Sequence, residues 1–211
     1  MSCVLPFFFG FIFAFLGVLP PGLLNMSASK ISIRDGRLRA VLFAIGAVLF
    51  IIIQTFLSIS FARIIDKNIE ILIILREVGL VIFTALTIFF FWTSKKYKPK
   101  NEVFKIKSKK RSFFHGIMLS ALNFFPIPYY VFVSVALASY NLFSFKQSEV
   151  TAFVLGSGLG SFLVFYLYIV FFKKMEKQTT FLFANMNYII GSITGLISLI
   201  SLINVVDYYL R

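Results

Sequence analysis

Long apolar stretches recur along the chain at about 4–24, 40–62, 71–94, 113–139, 149–172 and 179–206, with most polar residues gathered between them. About 20 such residues cross a bilayer core as a helix, so each window is long enough to span with some tilt. The runs are continuous rather than alternating with a period of two. Only helices and closed barrels satisfy every main-chain group in hydrocarbon, so this pattern predicts six transmembrane helices and not a barrel. The first window starts close to Met1, without a basic leader or a small-residue cleavage site, and reads as a retained span.

Composition agrees with the pattern. The chain has 211 residues, of which 59% are hydrophobic and 14% charged, and its mean hydropathy is +0.92. Soluble domains hold about 45–50% apolar and about 25% charged residues. The predicted class is therefore an all-α integral membrane protein, which excludes a soluble enzyme, a disulfide scaffold and a disordered binder. Cys3 is the sole cysteine and can form neither an internal disulfide nor a redox pair. One histidine, His115, and eight carboxylates scattered mostly in loops do not make a ligand cluster, so no metal, no cofactor and no enzyme activity are expected.

The net charge of +13 bears first on topology. The segments after the first, third and fifth windows hold four, nine and three Lys and Arg residues, against four on the opposite side (Arg63, Lys67, Lys146 and Arg211). Arg76 lies near the start of the third window. Cytoplasmic loops carry the excess of basic residues, so both termini are expected outside and the basic 95–112 linker inside. That linker interleaves Phe104 and Ile106 with its lysines, but orientation and anionic lipid already account for the charge, so the expected partner is membrane lipid and not nucleic acid.

The linker divides one membrane domain, 1–211, into a first three-helix half at 1–94 and a second at 113–211. Three is odd, so a repeat between the halves must be inverted in the membrane. Leu19-Pro20-Pro21-Gly22-Leu23-Leu24-Asn25 interrupts the first span, and Leu122-Asn123-Phe124-Phe125-Pro126-Ile127-Pro128 interrupts the fourth. Proline removes a helix donor and clashes with the preceding turn, so each pair should break or kink its helix. Pro21 and Pro126 are 105 residues apart, Gly46 and Gly156 are 110, and Gly79 and Gly191 are 112, so the spans of the two halves correspond in order. At 1.5 Å per residue, Pro21 lies about 13 Å from Lys30 and Pro126 about 22 Å from Arg111, near the middle of a core about 30 Å thick.

Interrupted helices in corresponding positions of two halves point to a transporter's central site, because freed main-chain groups and helix ends face the substrate there. A kink satisfied by neighbouring helices is the structural alternative. On the first reading Pro21, Gly22, Asn25, Asn123, Pro126 and Pro128 surround one substrate cavity, with the two amides able to donate and accept hydrogen bonds. Gln54, Thr55, Ser120 and Tyr129 are weaker candidates, and interhelical packing is the competing role for all of them. Glu77 offers a coupling carboxylate or else an interfacial partner for Arg76 or Arg63. His115 is expected at the interface. Gly156 with Gly160, and Gly191 with Gly195, allow close helix approach, within the chain or as faces of a homodimer.

Pro20-Pro21-Gly22-Leu23-Leu24-Asn25, then Gly36-Arg37-Leu38-Arg39 and Ala44-Ile45-Gly46, resemble the first half of the lysine exporter (LysE/RhtB-type) family of bacterial amino-acid exporters. Phe114-His115-Gly116 and Leu122-Asn123-Phe124-Phe125-Pro126 resemble its fourth span. The break here reads Pro-Pro-Gly where that family usually has Pro-Gly-Pro. The resemblance implies six spans, a multi-pass location in the bacterial inner membrane, and efflux of amino acids or similar small polar metabolites driven by the proton gradient. From the residues alone, a non-transporting membrane scaffold that docks partners through 95–112 stands beside that reading.

Overall fold

In a computed structural model, residues 3–20, 22–66, 77, 80–81, 83–85, 87–92, 108–184 and 186–210 are described, and every regular element among them is a helix. These are α1 (Val4–Val18), α2 (Leu23–Asp35), α3 (Arg37–Asp66), α4 (Phe83–Trp92), α5 (Lys109–Ala121), α6 (Pro126–Ser139), α7 (Gln147–Ala184) and α8 (Met186–Leu210). Pro21, Arg76, Gly79 and linker positions 95–107 lie outside the described residues. Among the described residues, α3 over Arg37–Ile64 and α7 over Gln147–Phe171 are each long and apolar enough to cross a membrane. The pairs α1–α2 and α5–α6 qualify as bent spans, turning by 75° and 63° at their breaks.

The chain forms two compact units, residues 1–64 with 103–176, and residues 65–102 with 177–211. In the first, α3 buries Phe43, Ala44, Ala47, Val48, Ile51, Gln54, Thr55, Ser58, Ile59 and Ala62. Those positions recur every three or four residues, the stripe by which a helix packs on its neighbours. Leu49, Ile53, Phe56 and Leu57 on the same helix stay exposed, which suits a lipid-facing side.

Two helix pairs in this unit meet backbone to backbone through glycine. A Cβ on Gly10 would run into the Phe153 carbonyl, and one on Gly156 into that of Phe7, so α1 and α7 touch main chain to main chain. A Cβ on Gly116 would meet the Phe43 carbonyl, and one on Gly46 that of Phe113, so α5 and α3 do the same. Lipid tails give helices no hydrophobic drive to associate, and small residues supply the close van der Waals approach that replaces it. Gly160 likewise faces Phe11, so the Gly156 and Gly160 side of α7 is covered by α1 of the same chain.

Several element boundaries differ from those read in the sequence: the fifth window ends at about 172, but α7 continues as helix to Ala184, through Lys173, Lys174 and Lys177, and α8 begins at Met186 rather than at about 179. The first window ends at about 24, but α2 continues to Asp35, placing Lys30 and Arg34 on a helix rather than in a loop. Its buried face explains this: Ser29 Oγ donates to the Tyr168 carbonyl at 3.2 Å and Ser32 Oγ to that of Ile169 at 3.1 Å, holding α2 on α7. Gly36, at φ +97° where only glycine is unstrained, then lets the chain turn directly into α3. Arg39 closes that turn by donating to the Asp35 carbonyl at 2.8 Å. The fourth span starts at Lys109 rather than 113, so three basic residues of the linker form its first turn.

In the second unit α4 and α8 meet through small and hydroxyl residues. Thr84 and Ser198 share a hydrogen bond of 2.7 Å, and Thr87 donates to Thr194 at 3.0 Å. Gly191 packs against the Phe91 ring and Gly195 against Thr87. Glu77 is helical and half-buried in this unit.

Candidate functional site

Breaking a helix in hydrocarbon frees carbonyls at its C-terminal end, and each must find a donor within the protein. At the first break α1 stops at Val18 and α2 begins after Gly22. Asn25, only 2% exposed, uses both amide hydrogens there: Nδ2 donates to the Val18 carbonyl at 2.6 Å and to that of Pro20 at 2.9 Å. Between them the Leu19 carbonyl accepts from the Tyr168 hydroxyl of α7 at 2.9 Å. Three consecutive acceptors in the break region thus have side-chain donors.

The second break is handled from the facing helix. α5 ends at Ala121 and α6 begins at Pro126, where a missing N–H is harmless because the first helical N–H groups have no intrahelical partner. Gln54 of α3, 3% exposed, donates Nε2 to the Asn123 carbonyl at 2.8 Å and, more weakly, to that of Ser120 at 3.4 Å. Both capping amides have their donors committed, and their buried acceptors, Asn25 Oδ1 and Gln54 Oε1, are left without a hydrogen-bond partner. The Ser120 hydroxyl is buried and unpartnered as well.

One side chain joins the two interrupted helices. Tyr129, in the first turn of α6, donates its hydroxyl to the Phe13 carbonyl of α1 at 2.8 Å, and its ring covers Gly17, where a Cβ would sit 3.0 Å from ring carbons. The residues expected around a cavity therefore divide as follows. Gly22 and Asn25 sit at the first break, and Asn123, Pro126 and Pro128 at the second, with Pro21 outside the described residues. Gly22 is the extended N-cap of α2, and a Cβ there would meet little. Asn123 supplies its main-chain carbonyl, Pro126 is half-buried and Pro128 is exposed in the first turn of α6. Glu77 belongs to the second unit.

Several residues that build the site carry no local sequence signal. Tyr168 is one aromatic among many in its span, and its role shows only once α7 lies beside α1. Glu149, 2% exposed in the first turn of α7, accepts the Ser144 N–H at 2.9 Å and secures the α6–α7 loop, where Asn141 and Phe145 adopt positive φ. Gln54 was readable only as a polar residue in an apolar span. His115 is half-buried with its ring 5.5 Å from that of Phe43. Among the described residues no three His, Cys, Asp or Glu side chains group as metal ligands.

Two interrupted helices, with their freed carbonyls met by buried amides and a tyrosine, define a polytopic membrane protein of the kind built around broken spans. The chain belongs to the LysE type translocator family, whose sequence model matches residues 15–203. Comparison with curated proteins and with solved structures finds no match.

Proposed function

We propose that this protein is a secondary-active exporter of amino acids or similar small polar metabolites in the bacterial inner membrane, coupled to the proton gradient. The observation that carries the reading is the pair of capped breaks. Each interrupts a helix at a corresponding place in its half of the chain, and each leaves a buried amide acceptor open. Gly22, Asn25, Asn123, Pro126 and Pro128, with Pro21, are proposed to line the substrate path, and Glu77 to bind the coupling proton.

The glycine contacts support an inverted arrangement of two three-helix halves, six spans in all. Gly10 against Phe153 corresponds to Gly116 against Phe43, and Gly46 against Phe113 corresponds to Gly156 against Phe7. Positions in the first span shift by 106 residues and positions in the second by 110, so one set of contacts maps onto the other. The basic bias supports both termini outside and the 95–112 linker in the cytoplasm.

Proteoliposomes loaded with labelled amino acids, with and without an imposed pH gradient, test the proposal. Asn123→Ala is the informative variant, because it keeps the main-chain carbonyl that Gln54 needs. Efflux should fall in Asn123→Ala and lose its dependence on the gradient in Glu77→Gln. Equal efflux from Asn123→Ala and wild type rejects the site, and efflux indifferent to the gradient in wild type rejects proton coupling.

A further inference from the structure

We propose that the basic ends of α2, α3 and α5 together form a discrete site for the headgroup of an anionic phospholipid. The inference is independent of export: the site stands whether or not the protein moves a solute.

The three ends converge. Gly46 of α3 meets the Phe113 carbonyl of α5, and eight residues on Gln54 meets the carbonyl of Asn123, ten residues further along α5. Residue numbers rise together on the two helices, so α3 and α5 run in the same direction and their first turns lie side by side. Arg37 and Arg39 stand on the first turn of α3, and Lys109, Lys110 and Arg111 on that of α5. α2 carries Lys30 and Arg34 in its last two turns, ends at the Gly36 corner with α3, and also touches α5. Seven cations are gathered at one end of three helices.

Little in the described part of the chain offsets them. Asp35 is the sole carboxylate of α2, α5 and the first turn of α3. It already has Arg34 Nε at 3.5 Å, and its main-chain carbonyl accepts from Arg39. The first turns of α3 and α5 contain no acid, and a helix N-terminus is the positive end of the helix dipole, so the main chain adds to the repulsion. Lys30, Arg37, Lys109, Lys110 and Arg111 are all exposed, and Arg37 is steadied over the Tyr166 ring of α7 at 5.5 Å from its centroid. Orientation in a membrane asks only for basic residues near span ends, not for their convergence on ordered helices in contact. A phosphate among them removes the repulsion and accepts charge-assisted hydrogen bonds from Arg and Lys alike.

The neighbouring residues decide what the phosphate is attached to. Ile33, Leu38 and Phe114, each within three residues of one of these cations, are exposed, and Met118 extends the exposed strip one turn along α5. A free phosphate leaves that apolar surface bare, whereas the acyl chains of a phospholipid cover it. Each Lys or Arg close to an anionic lipid surface strengthens attraction by about fivefold, about 1 kcal/mol. The bound lipid would join α2 and α5, one half of each interrupted span.

The purified full chain in phosphatidylcholine–detergent micelles, titrated with phosphatidylglycerol, provides the test, read by thermal unfolding and by native mass spectrometry. We expect a saturable rise in Tm and one retained phosphatidylglycerol per chain. Glycerol 3-phosphate added to phosphatidylcholine micelles should produce no such rise. Lys109→Gln/Lys110→Gln should weaken phosphatidylglycerol binding by about twenty- to thirtyfold. Arg63→Gln/Lys146→Gln removes the same charge from exposed positions elsewhere in the unit and should leave binding unchanged. If phosphatidylglycerol stabilises no better than phosphatidylcholine, or the two double variants lose affinity equally, the cations act only as diffuse charge and the proposal is overturned. A rise with glycerol 3-phosphate equal to that with the lipid overturns it as well, in favour of a free-anion site.

Discussion

Replacing each contact glycine with alanine gives a result whose sign depends on what the new methyl meets. In an open helix interior, Gly→Ala stabilises by about 1 kcal/mol through propensity. At Gly10, Gly46, Gly116 and Gly156 the methyl instead meets a main-chain carbonyl of the neighbouring helix, which has no rotamer by which to withdraw. Overpacking costs about 1–3 kcal/mol and reaches the upper end where the obstacle is rigid. Set against the propensity gain, each substitution should destabilise by about 2 kcal/mol, a roughly thirtyfold loss in the folded-to-unfolded ratio. Gly195→Ala serves as the control, because its Cβ would reach Thr87 Cγ2 at an ordinary 3.4 Å, and it should be neutral or stabilising. Reversible unfolding in mixed detergent micelles, followed by helical circular dichroism, measures all five. Corresponding positions, Gly10 with Gly116 and Gly46 with Gly156, should be destabilised to a similar degree, because each methyl meets the same kind of carbonyl at nearly the same distance. Unfolding curves for the four variants that superimpose on wild type would refute main-chain contact between these helices.

Other consequences can be checked on the same material. Gln54→Leu leaves the Asn123 carbonyl without its donor in a buried place and should cost about 1–3 kcal/mol in the same unfolding assay. Tyr129→Phe keeps the ring on Gly17 but loses the bond to Phe13, so a smaller loss of about 0.5–1.5 kcal/mol is expected. Glu149→Gln retains an oxygen for the Ser144 N–H and should unfold close to wild type, whereas Glu149→Leu should lose about 1–3 kcal/mol. For topology, cysteines placed at Ser108 and Ser144 after Cys3→Ser should react with an impermeant thiol reagent in intact cells at 144 and not at 108. The reverse labelling would invert the orientation.

The breaks were legible because proline and glycine act locally. Pro20, Pro126 and Pro128 interrupt a helix whatever lies beside it, and both interruptions fall where the sequence places them. The work of Asn25 was legible only in part: its position at the break could be read, but its spending of both amide hydrogens on Val18 and Pro20 depends on how the chain folds back. Gln54 meets its carbonyl 69 residues away, a separation no local pattern encodes. The α2 extension to Asp35 is not legible in the sequence because Lys30 and Arg34 make the segment resemble a loop, while the serines that hold it act on α7. Glu149 carries no sequence mark of burial, which follows from the conformation of the α6–α7 loop.

The glycine contacts also determine what in the first unit is able to move. Two backbones pressed together without side chains between them have no cushion, so sliding would drive a carbonyl over the neighbouring main chain. α1 with α7, and α3 with α5, therefore act as two stiff struts, since packed surfaces of this kind switch between arrangements rather than deform smoothly. Beyond the breaks the contact passes through side chains instead: α2 buries Leu24, Ala28 and Ile31 and bonds Ser29 and Ser32 to α7, and α6 buries Tyr130, Val133 and Leu137 and bonds Tyr129 to α1. Side chains have rotamers by which to yield, and bare main chain has none. The first unit thus has two kinds of seam, one of bare main chain and one of interleaved side chains, and any rearrangement would fall to the second.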